Sequence, residues 1–191
     1  MKSLLERLCA GGEPCSSSAP RRALALAIFL SFLLLAARLC HLRVLWVDEA
    51  YAMSAAVQAL HGKVLYRDVW FDKPPLYAWI YLAWGAMAGL PLRIAGWLFS
   101  AACSLLAAGA ARRLFGPAQA GWAAFLTAFF LVFDHPSAVV PLAPDLLTVP
   151  FALAAVWLAA AGWPLAAGAA AGTALLANAK ALLLLPVALI W

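Results

Sequence analysis

From Ala23 to Cys40 the chain runs 18 residues with one charge, Arg38, and long apolar runs return at Ile94–Ala111, Ala118–Phe133, Leu146–Gly162 and Leu165–Trp191. A helix that crosses the hydrocarbon of a bilayer needs about 20 apolar residues. In that medium the backbone must satisfy itself, so only helices and closed barrels cross, and unbroken runs without two-residue alternation point to helices. Since 67% of the 191 residues are hydrophobic and 11% charged, a soluble core cannot absorb the apolar surface. The expected fold is all-α, a polytopic membrane helical bundle.

The first run follows Arg21 and Arg22, the flank of a secretory signal. It exceeds the roughly 7–15 residues of a cleavable apolar core, however, and Arg38 and Cys40 stand where a small-residue cleavage site would be. It reads as an uncleaved first span. Residues 1–22 contain Gly11, Gly12, Pro14, Ser16 to Ser18 and Pro20, the composition of a disordered tail, and their basic residues put that tail in the cytoplasm. The net charge of +5 is then an orientation signal, because the basic residues form no stripe interleaved with exposed aromatics of the kind that binds nucleic acid. Cys9, Cys15, Cys40 and Cys103 include no C-x-x-C pair, which excludes a disulfide framework or a cysteine zinc site as an organising device.

With the tail inside, the loop His41–Pro75 emerges outside, carrying four acidic and four basic residues. The run Leu76–Leu90 is short for a span and rich in Trp and Tyr. It is expected to dip into the outer interface, since a full crossing would leave Arg112 and Arg113 outside. Ile94–Ala111 then runs inward, Ala118–Phe133 outward, Leu146–Gly162 inward, and Leu165–Trp191 outward as one long segment. On this topology Asp48, Glu49, Asp68, Asp72, Asp134 and Asp145 all face one outer compartment. The last run reaches Trp191 without a polar flank. Residues 23–191 therefore read as the N-terminal part of a larger multi-pass domain in the inner membrane, with its site facing the periplasm or exterior.

Three polar clusters interrupt the apolar pattern. Asp48 and Glu49 open a short stretch in which Met53, Val57 and Leu60 share one helical face and Ser54, Gln58 and His61 the other, ended by Gly62. That is an interfacial helix, and Asp48 in that place also suits an N-cap. In "YRDVWFDKPPLYAW", Lys73 precedes proline and so sits on extended backbone, aimed from a stiff turn. Lys73 and, less strongly, Arg67 are candidate cations of the site or simple interfacial anchors. Asp145 stands at the head of an apolar run, where a carboxylate also favours the helix dipole. His41, His61 and His135 lack metal-ligand spacing, and Lys180 inside the last run needs a partner or a polar cavity.

These elements together resemble the first outer loop of the PMT-like membrane glycosyltransferases of the GT-C fold, a group that includes protein mannosyltransferases and bacterial aminoarabinose transferases. The matching elements are the Asp48–Glu49 pair after the first span, the short helix, "KPPL" from Lys73 to Leu76, "RLFG" from Arg113 to Gly116, and Asp145 before a later span. The resemblance covers about residues 24 to 160. It implies inverting transfer of a sugar from a polyprenyl-phosphate donor to a hydroxyl on a lipid, glycan or protein acceptor. Asp48 is then the general base, Glu49 and Asp145 are further catalytic acids, and Lys73 with Arg67 meets the donor phosphate. The family uses a divalent metal in some members, and Asp48, Glu49 and Asp145 offer hard oxygen ligands for one. The alternatives are a non-catalytic multi-span protein, such as a transporter half or scaffold, and an inactive truncated remnant.

Overall fold

The computed structural model describes residues 18–133 and 139–184. Among them the chain forms seven α-helices and no strand: α1 Ser18–Cys40, α2 Val47–Leu60, α3 Pro75–Leu82, α4 Leu90–Phe115, α5 Pro117–Phe133, α6 Pro144–Ala160 and α7 Pro164–Ala177, followed by a 3-10 turn, Ala179–Leu184. Proline sets many of the starts. It occupies the first turn of α3, α4, α6 and α7, and α5 opens on Pro117, positions whose N–H has no helical acceptor to lose. Gly116 (φ +100°) and Gly162 (φ +80°) then stop α4 and α6 in backbone conformations that side-chain-bearing residues avoid.

The order of elements follows the apolar pattern, with two differences. α1 begins at Ser18 rather than at Ala23, because Pro20 fits a first helical turn instead of breaking it. Residues 1–17 of the expected tail lie outside the described residues, as do Asp134, His135 and residues 185–191. The face of α2 that packs inward is Glu49, Ala52, Ala55 and Ala56, with Met53 partly buried against the same core, while Val57 and Leu60 point outward. Small residues let α2 lie close on its neighbours, and the bulky ones are left for the surroundings. Finally, the expected single run from Leu165 breaks at Asn178, whose backbone is extended (φ −157°, ψ 131°). Lys180 therefore sits on a turn at the end of α7 and not in the middle of a span.

α1 packs on α4 and α5, α5 on α4, α4 on α6, and α6 on α7, while α2 lies on α3 and α3 on α7. Ala27, Leu30 and Leu34 of α1 interlock with Ala124, Ala128 and Val132 of α5. The larger core lies at one end of the body, where α2, α3 and the starts of α4 and α6 meet around Tyr77, Tyr81, Leu92, Leu142 and Leu147. This end is called the rim. α3 has eight residues, so it rises about 12 Å, far short of the roughly 30 Å of bilayer hydrocarbon. Two helical segments, Arg21–Cys40 and Leu90–Phe115, are long and apolar enough to cross a membrane; α5, α6 and α7 are apolar but shorter.

Candidate functional site

The rim is built on one buried ion pair. Glu49 and Arg93 are both fully inaccessible, and the guanidinium grips the carboxylate with two hydrogen bonds, Nη1 to Oε1 at 3.1 Å and Nη2 to Oε2 at 2.7 Å. Oε1 also accepts the Leu142 backbone N–H at 2.9 Å, Nη2 also donates to the Val44 carbonyl at 2.9 Å, and the guanidinium lies 4.7 Å from the centre of the Trp46 ring. One pair thereby ties together α2, α4, the entry to α2 and the entry to α6. Burying two charges is unfavourable unless geometry and extra hydrogen bonds compensate; here the bidentate geometry and the bonds to Val44 and Leu142 do so for every group but Arg93 Nε, which has no partner among the described residues.

Two tyrosines from one face of α3 complete the frame. Tyr77 donates to the Asp48 carbonyl, and Tyr81 donates to the Leu142 carbonyl at 2.7 Å. Burial, followed by the charges of Asp48 and Glu49, pushes the Tyr77 phenol far up. Burial also raises Tyr81, with Tyr77 and Glu49 adding to it. Both hydroxyls thus keep the protons they donate. A chain of ring contacts runs from Tyr51, stacked on Phe71, through Tyr77, tilted against Phe71, to Tyr81, met edge-on, and Trp84. Tyr51 donates to Asp72 Oδ1 at 2.7 Å and accepts the Asp72 N–H at 3.0 Å, while Tyr66 donates to the Lys73 carbonyl at 2.6 Å. These bonds dock the loop between α2 and α3.

Against that frame the two exposed acids can be compared. Asp48 and Asp145 each occupy the second position of their helix, after N-caps Trp46 and Ala143 that make no side-chain cap bond. Neither acid is the N-cap, though both favour the positive end of a helix. The Asp145 carboxylate receives Asn178 Nδ2 at 2.7 Å and Lys180 Nζ at 3.0 Å. The Asp48 carboxylate is exposed, with no hydrogen bond from any described residue. The field of both acids reaches the Tyr77 hydroxyl, so they share the rim.

Asp48 and Asp145 both stand near enough to Tyr77 for their charges to act on its hydroxyl, and Lys180 pairs with Asp145. Glu49 is enclosed, both its carboxylate oxygens bonded by Arg93 and the Leu142 N–H, so it presents no free oxygen to solvent. Lys73 pairs with Asp72 at 3.2 Å on the docked loop, and Arg67 pairs with Asp68 at 2.8 Å farther out. The Tyr51 hydroxyl and then Lys73 hold the Asp72 carboxyl below its ordinary range, and Arg67 does the same for Asp68. The metal set does not form. Among the described residues no three His, Cys, Asp or Glu side chains are grouped to hold an ion, and both Glu49 oxygens are already occupied.

Arg93, Tyr77, Tyr81, Asn178 and Arg38 carry the site without having been singled out. Arg38 is fully buried near the end of α1, where Nη2 donates to the Val140 carbonyl at 2.7 Å and to Ser100 Oγ at 3.3 Å, leaving Nε and Nη1 without partners. A Cβ at Gly96 would collide with its guanidinium. The available sequence signal was a lone arginine at the edge of each long apolar run, Arg38 and Arg93. Such a residue reads equally well as a flank.

The described chain is an all-helical protein with two helices that could cross a membrane and an acidic, tyrosine-braced rim. Comparison with family models, curated proteins and solved structures finds no match.

Proposed function

We propose that this chain is the helical body of a polytopic membrane glycosyltransferase of the PMT-like, GT-C type. In this reading it moves a sugar from a polyprenyl-phosphate donor to an acceptor hydroxyl at the outer face of the inner membrane. The observation that carries the reading is the exposed Asp48 carboxylate, free of partners among the described residues, at the start of a helix anchored by the fully buried Glu49–Arg93 pair. Membrane residence is supported by the most apolar stretches of α1 and α4, of which only 28% and 33% is buried by the rest of the chain. A soluble core helix would be mostly covered. Phe29, Phe32, Phe130 and Phe133 project outward on the same body, as lipid-facing side chains do.

The chemistry asks little beyond this. An acceptor oxygen attacks the anomeric carbon as the bond from that carbon to the phosphate oxygen breaks, so the carbon inverts and polyprenyl phosphate departs. Asp48 takes the hydroxyl proton. Cations near the departing phosphate stabilise its charge; Lys180 stands at the acidic rim, and Lys73 stands on the docked loop with Arg67 beyond it. Because Lys73 and Arg67 are exposed and paired only with neighbouring aspartates, a phosphate can share them without leaving a buried charge behind. The lipid tail of the donor stays in the bilayer, which requires the site to lie at the interface.

The test is transfer of labelled sugar from a polyprenyl-phosphate donor in membranes carrying the chain. Asp48→Asn should lower the rate by roughly 10²- to 10⁴-fold, the usual contribution of a placed general base, with no change in donor binding. Wild-type rates in Asp48→Asn would remove it from the mechanism.

A further inference from the structure

At the end of the body opposite the rim, Gly109, Arg112, Arg113, Pro117 and Trp157 line a cavity of about 740 Å³ where α4, α5 and α6 meet. Arg112 and Arg113 are exposed, and no described residue hydrogen-bonds or ion-pairs with either guanidinium. Every described acid after the first helix lies at the rim or on its loop, so no described acid offsets these two charges. Leu105, Gly109 and Arg112 fall on one face of α4 by their spacing of four and three residues, and Leu98 extends that face toward the rim. Leu98 is 53% exposed and Leu105 68% exposed. Gly109 leaves room for the Trp157 indole against α4, and its absent Cβ would stand 3.3 Å from the indole nitrogen.

We infer that this cavity binds an anionic phospholipid. The headgroup phosphate is held by Arg112 and Arg113, with the Trp157 N–H in reach of its oxygens, and an acyl chain lies along the Leu98–Leu105 face. Guanidinium pairs suit phosphate because they offer several donors in fixed geometry. Basic pockets between membrane helices on the positive side recognise such headgroups. A free phosphate would use the arginines but not the open apolar track leading away from them, and this favours the lipid. The inference uses the membrane residence proposed above and not the sugar transfer, so failure of the transfer assay leaves it standing. A chain that stays soluble without detergent would instead remove the shared membrane premise.

The experiment is native mass spectrometry of the whole chain in a neutral detergent with dioleoyl phosphatidylglycerol, dioleoyl phosphatidylcholine or inorganic phosphate added. Phosphatidylglycerol should be retained in preference to phosphatidylcholine, and millimolar phosphate should not displace it. Arg112→Gln with Arg113→Gln should weaken phosphatidylglycerol binding by roughly thirtyfold, the combined effect of two basic residues at a membrane surface, and leave phosphatidylcholine unchanged. Arg112→Lys with Arg113→Lys, which keeps the charge but loses the fixed donor fork, should bind phosphatidylglycerol more weakly than the wild type and more tightly than the glutamine pair. Leu105→Gln, which keeps both arginines, should weaken the lipid and spare phosphate. Equal retention of the two lipids, or unchanged phosphatidylglycerol binding in the glutamine pair, overturns the site. Displacement by phosphate would make the ligand a soluble anion and overturn the lipid assignment.

Discussion

At the rim, Glu49 and Arg93 are fully buried and every carboxylate oxygen and both terminal guanidinium nitrogens are in use; at the opposite end, Arg112 and Arg113 stand exposed with no acid beside them among the described residues. The chain thus handles charge in two ways. Where charge is enclosed it serves as a rivet between helices, and the residues beside it, Asp48 and Asp145, are presented in a fixed place. Where charge is left open, the helices enclose space instead of closing on themselves. In the proposed reading, a rim that orients a reacting group benefits from rigidity, and the opposite end carries no such demand.

Breaking the rivet gives the largest expected effect. Glu49→Ala leaves Arg93 buried and unpaired and should destabilise the chain by about 3–5 kcal/mol, measured by denaturant unfolding in detergent micelles. Glu49→Leu combined with Arg93→Met should recover most of that loss, because two apolar side chains replace both charges at once. Exchanging Arg112 and Arg113 for Gln should change stability by less than about 0.5 kcal/mol. A large loss there would erase the contrast between the two ends.

The glycines of α4 sharpen the comparison at a smaller scale. Gly96→Ala drives a methyl group into the Arg38 guanidinium, which is buried and held by Val140 and Ser100, so it should cost about 1–3 kcal/mol. Gly109→Ala meets only the edge of Trp157 at 3.3 Å. That ring borders the cavity and can give way, so the cost should stay below about 1 kcal/mol. Paired melting curves of the two variants read the difference directly.

The smallest effect is on the outer loop and depends on pH. The Tyr51 hydroxyl, followed by Lys73, holds the Asp72 carboxyl below its ordinary pKa. The docking this provides is complete above about pH 4, the ordinary carboxylate value, and is lost as pH falls through the lowered one. Amide exchange at Asp72, corrected for the intrinsic rate, should therefore rise as the solution is acidified below about pH 4. Tyr51→Phe should abolish that transition.

The helices were legible because apolar runs, proline starts and glycine stops are local signals. The interruption at Asn178 was not, since an Asn within an Ala- and Leu-rich run carries little local cost and only its bond to Asp145, 33 residues away, explains it. The inward face of α2 was not legible either: in a chain this apolar, size and not polarity decides which face packs. Asp48 and Asp145 were legible as acids at helix starts. Glu49 looked identical to Asp48, and the two separate only because successive helix residues point about 100° apart, one toward Arg93 and one away.

By itself the sequence determined that the chain is helical, where most of its helices begin and end, and that its acids gather in few places, because these follow from near-neighbour sterics and from the length of apolar runs. The tertiary structure alone decided which acid is enclosed and which is presented, that Lys180 meets Asp145, and that two arginines border an open cavity. Those outcomes depend on contacts between residues 33 to 102 positions apart, whose geometry no local pattern encodes.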